Sequence, residues 1–125
     1  RRVLIHWMSE GARSATLAMS ASVLRHLPAE AVYVGILPND SAGVHKPQGL
    51  RALLDARSEA QAAHGLEMRT ELRFGEPTVE LSARLAEAPA QMLIVGVTEL
   101  GGFGERFGAL LDGGRWPVLI VQRPA

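Results

Sequence analysis

The chain has 125 residues, 47% of them hydrophobic and 21% charged, and its thirteen basic and thirteen acidic side chains cancel to a formal charge of zero. That length and balance suit one globular domain, residues 1–125, and the lack of a basic field argues against nucleic acid or an anionic membrane surface as partner. No cysteine is present, which excludes disulfides, thiolate metal sites and a catalytic thiol, and the longest apolar runs fall far short of a membrane span.

The chain opens on Arg1-Arg2 with no initiator Met and enters an apolar run at once, so a piece of a longer polypeptide, or a chain trimmed from its tag, is expected. Four runs, VLIHW (3–7), AVYVGIL (31–37), MLIVGV (92–97) and PVLIVQ (117–122), are short, rich in Val and Ile and not strictly alternating, as in strands buried on both faces of a parallel sheet. A fifth, LEMRTELR (66–73), alternates apolar with charged residues and is expected at a sheet edge with one face open to water.

Helical patterns lie between the strands. Residues 11–27 place Leu17, Ala18, Ala21 and Leu24 on one face and stop at Pro28, and residues 48–64 place Leu50, Leu53, Leu54 and Ala60 on one stripe before Gly65. Pro77 opens a third helix, with Val79, Ala83 and Ala86 facing one way before Pro89, and a short helical piece spans roughly 104–112. Residues 38–46 (PNDSAGVHK) form a polar, turn-rich loop. The order β-α-β-α-β-α-β-α-β predicts an α/β fold, a doubly wound parallel sheet with helices on both faces.

Such sheets bind ligands outside the carboxyl ends of their strands, where the strand order reverses. The candidate ligand-binding residues are therefore Trp7, Met8 and Ser9 after the first strand, Pro38 after the second, and Gly96, Thr98, Gly101, Gly102 and Gly104 after the fourth. Two readings of Trp7 stand open: its indole covers a flat ligand, or it packs beneath a helix. The three clustered glycines form either an anion nest or a shortened turn; no Lys-Ser/Thr follows, so they are not a P-loop.

No constellation reads as an enzyme. Ser9, Ser14 and Thr98 lie near the predicted cleft without a GxSxG elbow, and His6 sits inside a strand, in or near the core. The four histidines show no ligand spacing with each other or with a carboxylate on a shared helix face, so no metal site is expected. Phe103, Phe107 and Trp116, with Val118, Leu119, Ile120 and Val121, form either an apolar contact surface or part of the domain's own core.

The opening strand with its Ser-rich helix, the stretch FGEPTVELSARLAEAPAQMLIVG with its Gly-x-Pro helix start, and the terminal WPVLIVQRP resemble the universal stress protein (UspA-like) superfamily over nearly the whole chain. The resemblance implies a five-stranded sheet of order 3-2-1-4-5 and a homodimer paired through the last strands, here Val118 to Val121. Nucleotide-binding members carry an Asp at the end of the first strand. After the fourth they carry a loop of Gly, two residues, Gly, nine residues, then Gly followed by Ser or Thr. Here Trp7 or Met8 stands at the Asp position, Glu99 replaces the second glycine, and no Gly-Ser or Gly-Thr closes the loop.

The resemblance and the departures together lead to a degenerate member without the ATP motif: a non-enzymatic regulatory or interaction domain with no cofactor. Cytoplasmic location follows from the same likeness, either free or as the cytoplasmic module of a membrane transporter in the same polypeptide. The alternative is a variant nucleotide-binding stress protein, in which AMP or a cyclic dinucleotide is tolerated better than ATP because Glu99 or Glu105 would repel a triphosphate.

Overall fold

Runs of Val, Ile and Leu with neighbours on both sides become strands whose side chains alternate between two helical layers. The computed structural model describes residues 1–39, 43, 46–88, 90–99, 105, 107, 108, 110 and 116–123. Its elements are β1 (Arg2–Trp7), a 3-10 turn (Glu10–Ala12), α1 (Arg13–Leu24), β2 (Glu30–Leu37), α2 (Lys46–His64), β3 (Met68–Phe74), α3 (Pro77–Glu87), β4 (Met92–Val97) and β5 (Val118–Gln122). Between β4 and β5, Glu105, Phe107, Gly108 and Leu110 are helical.

The sheet runs β3-β2-β1-β4-β5 with every pairing parallel, the expected order 3-2-1-4-5. Ile5 of β1 is in register with Tyr33 of β2 on one side and Ile94 of β4 on the other. The chain thus leaves β1 in opposite directions, and the switch point lies at the carboxyl ends of β1 and β4. Val3, Ile5 and Trp7 point into one core with Leu17 of α1 and Leu53 of α2, whereas Leu4 joins Leu81, Leu85, Leu93 and Phe107 in the other.

Local chemistry sets the end of α2 and the start of α3 as read, whereas α1 ends at Leu24, three residues before the expected end at 27. Gly65, at φ 61°, caps α2 in the left-handed region, its N–H donating to the Gln61 carbonyl at 3.0 Å. Gly75, at φ 142°, precedes Glu76, whose carboxylate accepts from the Val79 N–H at 3.0 Å, and Pro77 takes the first helical position.

The buried helix faces differ from the expected ones. α1 buries Thr16, Leu17, Ser20 and Ala21, leaving Ala18 exposed and Leu24 half-buried. α2 buries Gly49, Leu53, Ala56 and Ala60, leaving Leu54 62% and Leu50 46% exposed. Both helices approach the sheet on small residues: a Cβ at Gly49 would lie 2.5 Å from Leu37 Cδ1, so the stripe follows closeness of approach instead of hydrophobicity. α3 buries Leu81, Arg84 and Leu85 while Val79 is 60% exposed, because two leucines remove more apolar surface from water than Val79 and Ala86 would. Phe107, weighed as a contact-surface residue, is a core residue at 2% exposure; Phe103 lies outside the described residues.

β3 is an edge strand, but its charged face is half covered by α3. Arg84, 5% exposed, donates from Nε and Nη2 to Glu71 at 2.7 and 3.1 Å and from Nη1 to the Ala88 carbonyl, while Arg73 bridges Glu80 and Glu87. The Glu71 hydrogen bond raises the Arg84 pKa further. Arg84→Met is expected to cost about 1–3 kcal/mol in urea unfolding, since it leaves Glu71 half-buried without its fork. Adding Glu71→Gln should recover part of that loss.

Candidate functional site

At the carboxyl ends of β1 and β2, beneath α2, the chain encloses a crevice of about 200 Å³. Trp7, Met8, Ser9 and Glu10 line it from β1 and its turn, Tyr33 and Gly35 from β2, and Leu53 from α2. The Trp7 indole stacks on the Tyr33 ring, with centroids 4.0 Å apart and planes 9° from parallel. Gly35 makes the space, because a Cβ there would lie 2.9 Å from Leu53 Cδ2 and 3.4 Å from the Tyr33 hydroxyl. Burial, reinforced by Glu10, pushes the Tyr33 pKa up, so the phenol stays protonated and serves as a neutral group.

His6 is also buried, with Nδ1 2.8 Å from the Val34 carbonyl. A carbonyl only accepts, so Nδ1 carries the proton and Nε2 is left a bare acceptor; Nε2 and the Trp7 Nε1–H have no hydrogen-bond partner among the described residues. Burial holds the His6 pKa below its ordinary 6.5. The folded state therefore resists a proton that the unfolded chain accepts. Above pH 6.5 both states are neutral and stability is full; as pH falls below 6.5 toward the folded pKa, stability is lost at up to about 1.4 kcal/mol per pH unit. Thermal unfolding should show that slope, and His6→Asn, which keeps a donor for Val34, should remove it.

Charge gathers at the rim. Arg13 bridges Glu10 at 3.0 Å and Glu59 at 2.9 Å, and Glu59 also accepts from the Ser14 hydroxyl, so the acid beside the crevice is partly neutralised. On the far side of the turn, Arg123 after β5 reaches back toward β1: its Nη1 would lie 3.4 Å from a Cβ at Gly11, where the Thr98 methyl would lie 3.3 Å away. Arg123 has no ion-pair partner among the described residues.

Of the sequence candidates, Trp7, Met8 and Ser9 come together in the crevice, with Trp7 both packed and lining it. Pro38 is exposed just beyond the end of β2, and Thr98 is exposed beside Gly11. Gly96 is buried between Trp7 and Val121 in the sheet, and its missing Cβ leaves room for Thr16. Gly101, Gly102 and Gly104 lie outside the described residues. Sequence reading missed Tyr33, Glu10, Gly35 and Arg123. The period of β2 could have put Tyr33 on the face of Trp7, but nothing local brings Arg123 back to Gly11.

No protein-family model matches the chain, and no curated protein does. Solved structures do match. A universal stress protein from Archaeoglobus fulgidus superposes with a TM-score of 0.75 at 16% identity, over 98% of this chain and 99% of that one. The fold is that of the universal stress proteins. A family member from Burkholderia pseudomallei superposes at 0.70 with 20% identity, over 98% of this chain and 96% of that one. The Archaeoglobus fulgidus protein has also been solved with dAMP, at 0.72 and 16% identity over 98% of each chain, and another universal stress protein with cAMP, at 0.72 and 16% over 99% of this chain and 98% of that one.

Two of these neighbours hold a nucleotide, dAMP or cAMP. A 200 Å³ crevice is below the roughly 300–1,000 Å³ of a typical small-molecule site, too small for a whole nucleotide. Arg123, without an ion-pair partner among the described residues, faces the turn, and Glu99 follows β4, so a bound triphosphate would meet one nearby positive and one negative side chain. Among the described residues no helix is long and apolar enough to cross a membrane.

Proposed function

We propose that this chain is a non-enzymatic regulatory module with the universal stress protein fold, working by binding an adenine-type nucleotide of low charge. The base enters the crevice against Trp7 and Tyr33, and one phosphate meets Arg123 and the backbone around Gly11. The observation that carries this reading is the placement of Arg123: Glu10 lines the crevice, and the next residue stands beside the Arg123 guanidinium, which has no ion-pair partner among the described residues. Neighbours of the same fold solved with dAMP and cAMP support it. Among the described residues, the Ser14 hydroxyl is engaged by Glu59 and His6 by the Val34 carbonyl.

Titration calorimetry tests the reading with AMP, ATP, adenosine and a cyclic dinucleotide. AMP should bind more tightly than ATP, and Arg123→Gln should erase the advantage of AMP over adenosine, about tenfold for one charge-assisted contact. No heat from any of the four at millimolar concentration sinks it, as does steady ATP turnover.

A second reading rests on β5. Among the described residues it pairs with β4 alone, and Val118, Leu119 and Ile120 are half-buried along that edge, which leaves its outer backbone groups for a second copy. Light scattering should give a dimer that Ile120→Pro converts to a monomer; a monomer at all concentrations removes this part. Whether the module stands free in the cytoplasm or is carried by a transporter in the same polypeptide is decided by the coding sequence upstream of Arg1.

A further inference from the structure

A second, larger hollow lies at the opposite end of the sheet from the crevice. Its volume is about 650 Å³, within the roughly 300–1,000 Å³ of small-molecule sites and more than three times that of the crevice. Its floor is apolar: Ala31 and Met68, at the amino ends of β2 and β3, and Leu66 are buried, with Leu24 from the end of α1 half-buried beside them. Apolar surface brought into the hollow gains most by covering Leu24 and Ala29, which are half-buried, since Ala31, Leu66 and Met68 are already packed.

The rim carries four charges, and two of them cancel. Arg69 donates to Glu30 at 2.9 Å. That leaves Arg57, in the penultimate turns of α2, and Glu67, just past its end, each without an ion-pair partner among the described residues. A simple anion would meet Glu67 and a simple cation would meet Arg57. A ligand with both charges satisfies both. The carboxyl end of α2 adds its own preference for a positive group on the Glu67 side, because its last carbonyls carry partial negative charge.

We propose that this hollow is a second binding site, for a small zwitterion with an apolar body, of the α-amino-acid class. The carboxylate meets Arg57, the ammonium meets Glu67 and the helix end, and the side chain covers Leu24 and Ala29. Both charged groups are exposed, so solvent screens them and the apolar contact supplies much of the affinity. The site is independent of the nucleotide reading, since it shares no residue with the crevice.

The test is a two-dimensional amide NMR titration with leucine, leucinamide and N-acetylleucine. Leucine should shift the amides of Ala31, Glu67, Met68 and Arg69 and leave those of Met8 to Gly11 unmoved. Removing either ligand charge should weaken binding about fivefold. Arg57→Gln should weaken leucine by that factor and leave leucinamide unchanged, while Glu67→Gln should weaken leucine and leave N-acetylleucine unchanged. Both positions are exposed, so the variants keep the fold, which the unfolding midpoint checks. The proposal is overturned by the absence of shifts at tens of millimolar leucine, by shifts confined to the nucleotide crevice, or by variants that weaken all three ligands equally.

Discussion

Gly96→Ala should lower the unfolding free energy by about 3 kcal/mol, a large part of the roughly 5–15 kcal/mol that holds a domain of this size. Gly96 lies inside β4, paired with Trp7 of β1 and Val121 of β5, and α1 crosses directly above it. A Cβ there would sit 1.7 Å from Thr16 Oγ1 and 3.0 Å from Thr16 Cβ. Thr16 cannot swing away cheaply, because its hydroxyl donates to the Ala12 carbonyl at 2.6 Å in a fully buried position. Urea denaturation measures the loss. Thr16→Ala should be destabilising alone, yet the double variant should lose less than the sum of the two, because the closest contact is gone. Strict additivity would show that α1 and β4 do not meet at this point.

Trp7→Ala carries the second large effect, about 3–5 kcal/mol for truncating a buried aromatic. Trp7 is 5% exposed and loses with its ring the stacked face of Tyr33. The variant also turns the crevice into a larger, apolar cavity, so free indole should raise the unfolding midpoint by binding the folded state alone. The same substitution should weaken AMP more than Arg123→Gln does, since it removes the wall on which the base rests. An unchanged AMP affinity in Trp7→Ala, with the fold intact, would place the base elsewhere.

The strands were legible because a parallel sheet covered on both faces needs continuous apolar runs, and VLIHW, AVYVGIL and MLIVGV are such runs. The end of α2 and the start of α3 were legible because Gly65 and Pro77 answer to local backbone constraints. The helix faces were not. Leu50 and Leu54 look like a core stripe by hydropathy, yet α2 turns Gly49, Ala56 and Ala60 inward so that it can lie close to Leu37 and Leu72. Arg84 reads as a surface residue until β3 supplies Glu71 to satisfy it in the interior.

The candidate site divides along the same line. Trp7, Met8 and Ser9 follow from where a strand ends, which the residues themselves announce, and the likeness to universal stress proteins adds the strand order. Period, capping and composition are short-range properties, so the chain alone carries the α/β class, the element order and the ends of the strands. Distance between elements is a property of the packed whole. Only the tertiary structure sets Tyr33 against Trp7, lets Gly96 admit Thr16, returns Arg123 to Gly11, and leaves the hollow between Arg57 and Glu67, because each depends on residues far apart in the chain meeting within a few ångströms.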